Sequence, residues 1–145
     1  MLGIGNSNLT PWKCPRDITE DQLSAKIESL ASSIKNTSRS IFNIHVPPHS
    51  TGLDTAFLLD DKLEYVKVGG QPVLGPVGST AVRNMIEKYQ PLVGLHGHVH
   101  ESRAVFKLGR TTCINPGSEY GEGILRGALV ILEDTKISAY QLTSG

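Results

Sequence analysis

At 145 residues, 39% of them apolar, with 14 basic side chains against 14 acidic ones, the chain has the size of one ordinary domain and can bury a core without disulfide or metal staples. The charge balance offers no basic field to nucleic acid or an anionic membrane, and no stretch approaches the ~20 consecutive apolar residues of a membrane span. Cys14 and Cys113 form no CxxC and suit reduced thiols, so a soluble, cytoplasmic protein is expected.

The first regular element is a helix opened by Thr19, with Gln22 three residues on at capping-box spacing. Leu23, Ile27, Leu30 and Ile34 recur at helical spacing and predict one buried stripe, with Lys26, Glu28 and Lys35 in water. In residues 40–46 (SIFNIHV), Ile41, Phe42, Ile44 and Val46 depart from simple alternation and predict a strand covered on both faces. Pro47 and Pro48 end it. Residues 47–78 are rich in Gly and Pro and read as a long connection with one short hairpin around Asp60 and Asp61.

Ser79 is the expected N-cap of a second helix, STAVRNMIEKY, with Val82, Met85, Ile86 and Tyr89 on one side. After Pro91 an apolar run leads straight into His96, as the earlier strand leads into His45. Strand-like pieces around VFKL, TTCIN, GALVILED and ISAYQL complete the order helix, strand, helix, strand, then a run of strands.

All five histidines fall in two clusters, His45 with His49 and His96 with His98 and His100. Imidazole is the commonest metal ligand and titrates nearest neutrality. In an extended segment, residues two apart face the same way, which predicts 96, 98 and 100 pointing into one space, with Gly97 allowing close backbone approach. Taken singly, His49 and His96 read equally well as functional residues or as satisfied core or surface histidines. The His-x-His pair alone is compatible with either metal binding or packing.

The flanking residues extend this pattern. GLHGHVHES followed by CINPGSEY, and preceded by NIHVPP, resembles the C-terminal half of calcineurin-like metallophosphoesterases, and the likeness runs over most of the chain. Residues 1–17 resemble an interior stretch of such proteins. The resemblance implies an α/β layered sheet with flanking helices, corresponding to the C-terminal half of the αββα sandwich, with residues 1–145 as a single, partial domain. It implies that His45 and His98 share one divalent ion, that His100 serves a second, and that His96 is a neighbour. The ions in this family are manganese, iron or zinc, and the substrate is a phosphoester.

Two such ions lie about 3.5–4 Å apart and need an anionic bridge, which neutral histidines cannot supply. The family's upstream motifs, Asp-x-His, Gly-Asp-x-x-Asp and Gly-Asn-His followed by Asp or Glu, are absent, and no carboxylate from Asp17 to Asp134 occupies such a context. Gly5 and Asn6 begin like Gly-Asn-His but continue with Ser7, and a turn before Pro11 is the simpler account of Asn6. Further candidates have two readings each. His49 faces substrate phosphate or solvent. Ser79 binds an anion at a helix start or simply caps it. Glu101 or Ser102 supports a metal-bound ring or lies in a surface turn. Asn115 to Gly117 makes a turn in either case.

Two functions follow from the resemblance. Either the chain carries part of a metal-dependent phosphoesterase, completed by a missing N-terminal half or by self-association across an exposed apolar seam, or it is a non-catalytic binding or assembly module holding at most one ion. No Ser-His-Asp or Cys-His context supports a metal-free hydrolase.

Overall fold

A computed structural model describes residues 1–145. The first helix, α1 (Glu20–Ala31), starts where the capping box places it: Thr19 Oγ1 accepts from the Gln22 N–H at 3.2 Å and Gln22 Oε1 from the Thr19 N–H at 3.0 Å. Leu23, Ile27 and Ala31 form its buried stripe. Leu30, expected in that stripe, is exposed, because the helix stops at Ala31 and its packed face runs through positions i, i+4 and i+8. Ile34 packs against the core from the following turn.

The second helix, α2 (Thr80–Tyr89), is capped by Ser79, whose Oγ accepts from the Val82 N–H. The same hydroxyl donates to Glu20 Oε2 at 2.6 Å, and the carboxylate also accepts from the Ala81 N–H. An anion from the first turn of α1 thus sits at the positive end of α2 and ties the two helix starts together.

Both helices pack on one face of a five-stranded sheet made of β1 (Leu2–Ile4), β2 (Ile41–Ile44), β7 (Val93–Leu95), β8 (Ala104–Leu108) and β9 (Thr111–Asn115), ordered β1-β2-β7-β9-β8. All neighbours are parallel except β8 with β9. Leu2, Ile4, Phe42, Ile44 and Cys113 meet Leu23, Ile27, Val82 and Ile86 in the core.

The expectation of a strand covered on both faces is corrected here: Phe42 and Ile44 are buried, while Asn43 and His45 between and after them are exposed. Gly3 on β1 is exposed like Asn43, its register partner. Only the helix side of these strands is covered.

Residues 47–78 hold more structure than their composition suggests. β3 (Thr55–Phe57) pairs with β6 (Leu74–Pro76), and between them β4 (Lys67–Val68) and β5 (Gln71–Pro72) form a tight hairpin turning on Gly69 and Gly70. A turn at Asp60 also exists, its Oδ1 accepting from the Lys62 and Glu64 N–H groups. The remaining strands, β10 (Arg126–Glu133) and β11 (Lys136–Ser144), form a separate antiparallel ribbon. The architecture is therefore mixed α/β. Leu125, Leu129, Ile131, Leu132 and Tyr140 along this ribbon are exposed.

Candidate functional site

The carboxyl ends of the four parallel strands meet at one edge of the sheet, the place where open α/β sheets bind ligands. β1 delivers Gly5 to Ser7, β2 delivers His45, β7 delivers His96 to His98, and β9 delivers Asn115. The expectation that His96, His98 and His100 share one face is corrected, because the strand ends at Leu95. Beyond it, the Val99 N–H bonds back to the Gly97 oxygen at 2.7 Å, and His98 holds a left-handed backbone with φ 66°. That conformation costs a non-glycine residue about 1 kcal/mol or more, and such positions cluster at functional sites.

The turn sends the three rings apart. His96 points under the sheet, where its Nδ1–H donates to the Ile44 carbonyl at 2.9 Å and its Nε2 is buried without a partner. Gly94 makes room for that ring, since a Cβ there would lie 2.7 Å from Nε2. Burial pushes the His96 ring down to about 4. His96 is a packing residue.

His98 turns the other way, toward His45, with ring centroids 5.1 Å apart and the rings edge to face. Its Nε2 is hydrogen-bonded to the Oγ of buried Ser7 at 3.0 Å. Burial, then His45, hold the His98 ring below its usual pKa, with Asp17 pulling the other way. The pKa of the His45 ring, although the residue is exposed, is lowered too, first by partial desolvation at the cavity wall, then by Arg16 and His100. Both rings are therefore neutral near pH 7, the form with a lone pair to share. His100 is exposed, stacks edge-on against Tyr120 at 5.6 Å, and opens onto a separate cavity with Glu101, Glu119 and Glu122.

Loop hydrogen bonds hold these ends in place. Asn115 is fully buried, and its Nδ2 donates to the Val99 oxygen at 2.8 Å and the Leu53 oxygen at 3.0 Å, while its Oδ1 accepts from the Gly117 N–H. It ties the histidine turn to the loop after β2. Buried Asp54 braces that loop by accepting from the Ser50, Thr51 and Gly78 N–H groups. A Cβ on Gly78 would lie 2.6 Å from the Pro47 oxygen, so this close approach requires glycine.

The other expected residues have more local partners. His49 is half-buried, its Nδ1 against Ser50 Oγ, and it lines none of the cavities that hold His45, His98 and His100. Ser79 is fully buried with its hydroxyl committed to Val82 and Glu20, which corrects the reading of it as an anion ligand. Ser102 donates to the Thr55 oxygen, and Glu101 is exposed beside His100. Asn6 donates to the Arg16 carbonyl and accepts from Lys26 Nζ.

Two residues that sequence pattern did not single out, Arg16 and Asp17, line a cavity of about 320 Å³ with His45, His98, Gly5 and Ser7. The only signal for them was their place after the Gly5 to Ser7 turn. As for a metal centre, no three His, Cys, Asp or Glu side chains converge closely enough to hold an ion. His45 and His98 share their cavity with one carboxylate, Asp17, whose Oδ2 is taken up by Thr10 and Cys14.

Comparison with known proteins bears on the fold and on the extent of the chain. No family model matches. The chain is 31% identical over 138 residues to an uncharacterized protein of Methanocaldococcus jannaschii, a match that takes 92% of this chain and 56% of that protein. Among solved structures, TT1561 of Thermus thermophilus superposes with a TM-score of 0.51 at 18% identity, covering 99% of this chain and 49% of that one. A second crystal structure also superposes at 0.51, with 16% identity and 46% of its length covered. These structures share the fold. The chain spans about half the length of the proteins it matches.

Proposed function

We propose that this chain contributes the C-terminal histidine ligands of a metal-dependent phosphoesterase of the calcineurin-like class. The observation that carries the reading is the pair of neutral imidazoles, His45 and His98, at the ends of adjacent parallel strands, one of them held in a left-handed backbone. Such a turn is hard to account for by packing alone, since His98 is half-exposed and the buried histidine of the segment is His96. The Gly97-His98-Val99-His100 motif supports the same reading.

In this reading His45 and His98 face one divalent ion, manganese, iron or zinc, and His100 serves its neighbour. Such ions would supply an activated hydroxide and charge stabilisation for hydrolysis of a phosphoester. The carboxylates that such a centre requires come from outside these residues, either from an N-terminal half or from a second copy. The open sheet face at Gly3 and Asn43 and the exposed apolar ribbon β10-β11 support an incomplete assembly of that kind. The Ser7 to His98 hydrogen bond favours a second reading, a non-catalytic binding or assembly module in which one ligand nitrogen is already satisfied.

Metal content per chain, measured by elemental analysis after loading with manganese or zinc, tests the proposal. The phosphoesterase reading expects fewer than two ions on the isolated chain, their loss in the His98→Ala, His100→Ala double variant, and hydrolysis of p-nitrophenyl phosphate once the rest of a relative-length chain is added. An assembly that binds its ions yet hydrolyses nothing would leave the module reading.

A further inference from the structure

We propose that Arg16 grips the phosphoryl group of the substrate and selects phosphomonoesters over diesters, an inference that rests on the phosphoesterase reading for its reaction. The main chain of Arg16 is pinned, its carbonyl accepting from the Ser7 N–H at 3.2 Å and from Asn6 Nδ2 at 3.0 Å. Its guanidinium is unspent. The five ion pairs of the chain use Arg39, Arg83, Lys88, Arg126 and Lys136 and leave Arg16 without a carboxylate.

The neighbouring carboxylate does not neutralise it, because Asp17 Oδ2 accepts from the Thr10 N–H, the Thr10 hydroxyl and the Cys14 N–H. Gly5 gives the guanidinium room: a Cβ there would come within 3.3 Å of Arg16 Nη1. The cavity of about 320 Å³ is lined by this unpaired, solvent-exposed arginine together with His45 and His98.

An unpaired arginine lining one cavity with two imidazoles is suited to an anion with oxygens on two sides. A guanidinium binds two phosphate oxygens at once as a fork. A phosphomonoester has three non-bridging oxygens, so two can meet Arg16 while the third faces the histidines. A diester has only two, and gripping both leaves none for the histidine side.

Calorimetric titration of the chain at pH 8, without added metal, tests this with methyl phosphate, which is then a dianion, against dimethyl phosphate. The expected result is tighter binding of methyl phosphate, falling by about tenfold or more in both Arg16→Ala and Arg16→Lys. Lysine keeps the charge and loses the fork. Circular dichroism of each variant establishes that it is folded. No binding by the wild type, equal binding of the two esters, or full affinity in Arg16→Lys would overturn the proposal. Because no metal is present, these outcomes are independent of whether the assembled protein hydrolyses phosphoesters.

Discussion

Removing the Asn115 amide should destabilise the protein and loosen the histidine turn together. The side chain is fully buried and makes three hydrogen bonds, to the Val99 oxygen, the Leu53 oxygen and the Gly117 N–H. In Asn115→Ala the Leu53 oxygen loses its donor, at about 1–3 kcal/mol for a buried group left unsatisfied. The Val99 oxygen still accepts from the Ser102 N–H, so its loss is the smaller net value of about 1 kcal/mol. The sum, about 2–4 kcal/mol, corresponds to a fall in Tm of roughly 5–15 °C for a domain of this size.

Asn115→Asp is the sharper perturbation. It keeps the shape but replaces the donor with an anionic acceptor facing two carbonyl oxygens, and should cost at least as much as alanine above pH 6. Urea unfolding followed by circular dichroism gives both values. A loss below about 1 kcal/mol in Asn115→Ala, or an aspartate variant as stable as wild type, would refute the idea that this amide holds the turn.

Three other perturbations probe the remaining contacts. Gly94→Ala should cost about 1–3 kcal/mol by overpacking, because its Cβ would lie 2.7 Å from His96 Nε2 and 3.2 Å from Cys113 Sγ; a neutral result in chemical denaturation would show that the ring can move. His96 makes stability pH-dependent: with its pKa pushed to about 4 by burial, only the unfolded chain takes up a proton as pH falls below about 6.5. The stabilisation is complete above pH 6.5 and is lost as the pH falls to about 4, a loss of about 3 kcal/mol that His96→Gln should lack in urea titrations at each pH. The ribbon should drive self-association of the isolated chain, and sedimentation should show Leu129→Lys, Ile131→Lys shifted to monomer; a wild type that is monomeric at high concentration would dismiss the ribbon as an interface.

Much of the helical layer was legible in the sequence, since its signals are local. The Thr19 capping box, the Ser79 cap and the spacing of Leu23, Ile27, Val82 and Ile86 act within a few residues, and each helix begins where those signals put it. Leu30 was misplaced because periodicity predicts a stripe but not where tertiary packing ends the helix. The double-faced strand was misread for a related reason: Ile41 and Phe42 are adjacent and both apolar, yet only Phe42 is buried under a helix, and the residues that would cover the other face are not in this chain's helical layer. The hairpins within 47–78 carry too few apolar residues to announce themselves.

The site was legible in residue type and illegible in direction. The His45 and His98 rings lie 5.1 Å apart, whereas strand alternation would have paired His98 with His96 and His100 on one face. A single left-handed residue reverses that arithmetic, and nothing in the local composition marks it, because the glycine that would ordinarily take such a φ is the preceding residue, Gly97. The strain falls instead on the histidine whose ring faces His45, and Asn115, distant in sequence, holds the turn through Val99. A histidine held in a left-handed backbone at the sheet edge, with its ring against His45, is the geometry that the proposed cation site asks of this turn.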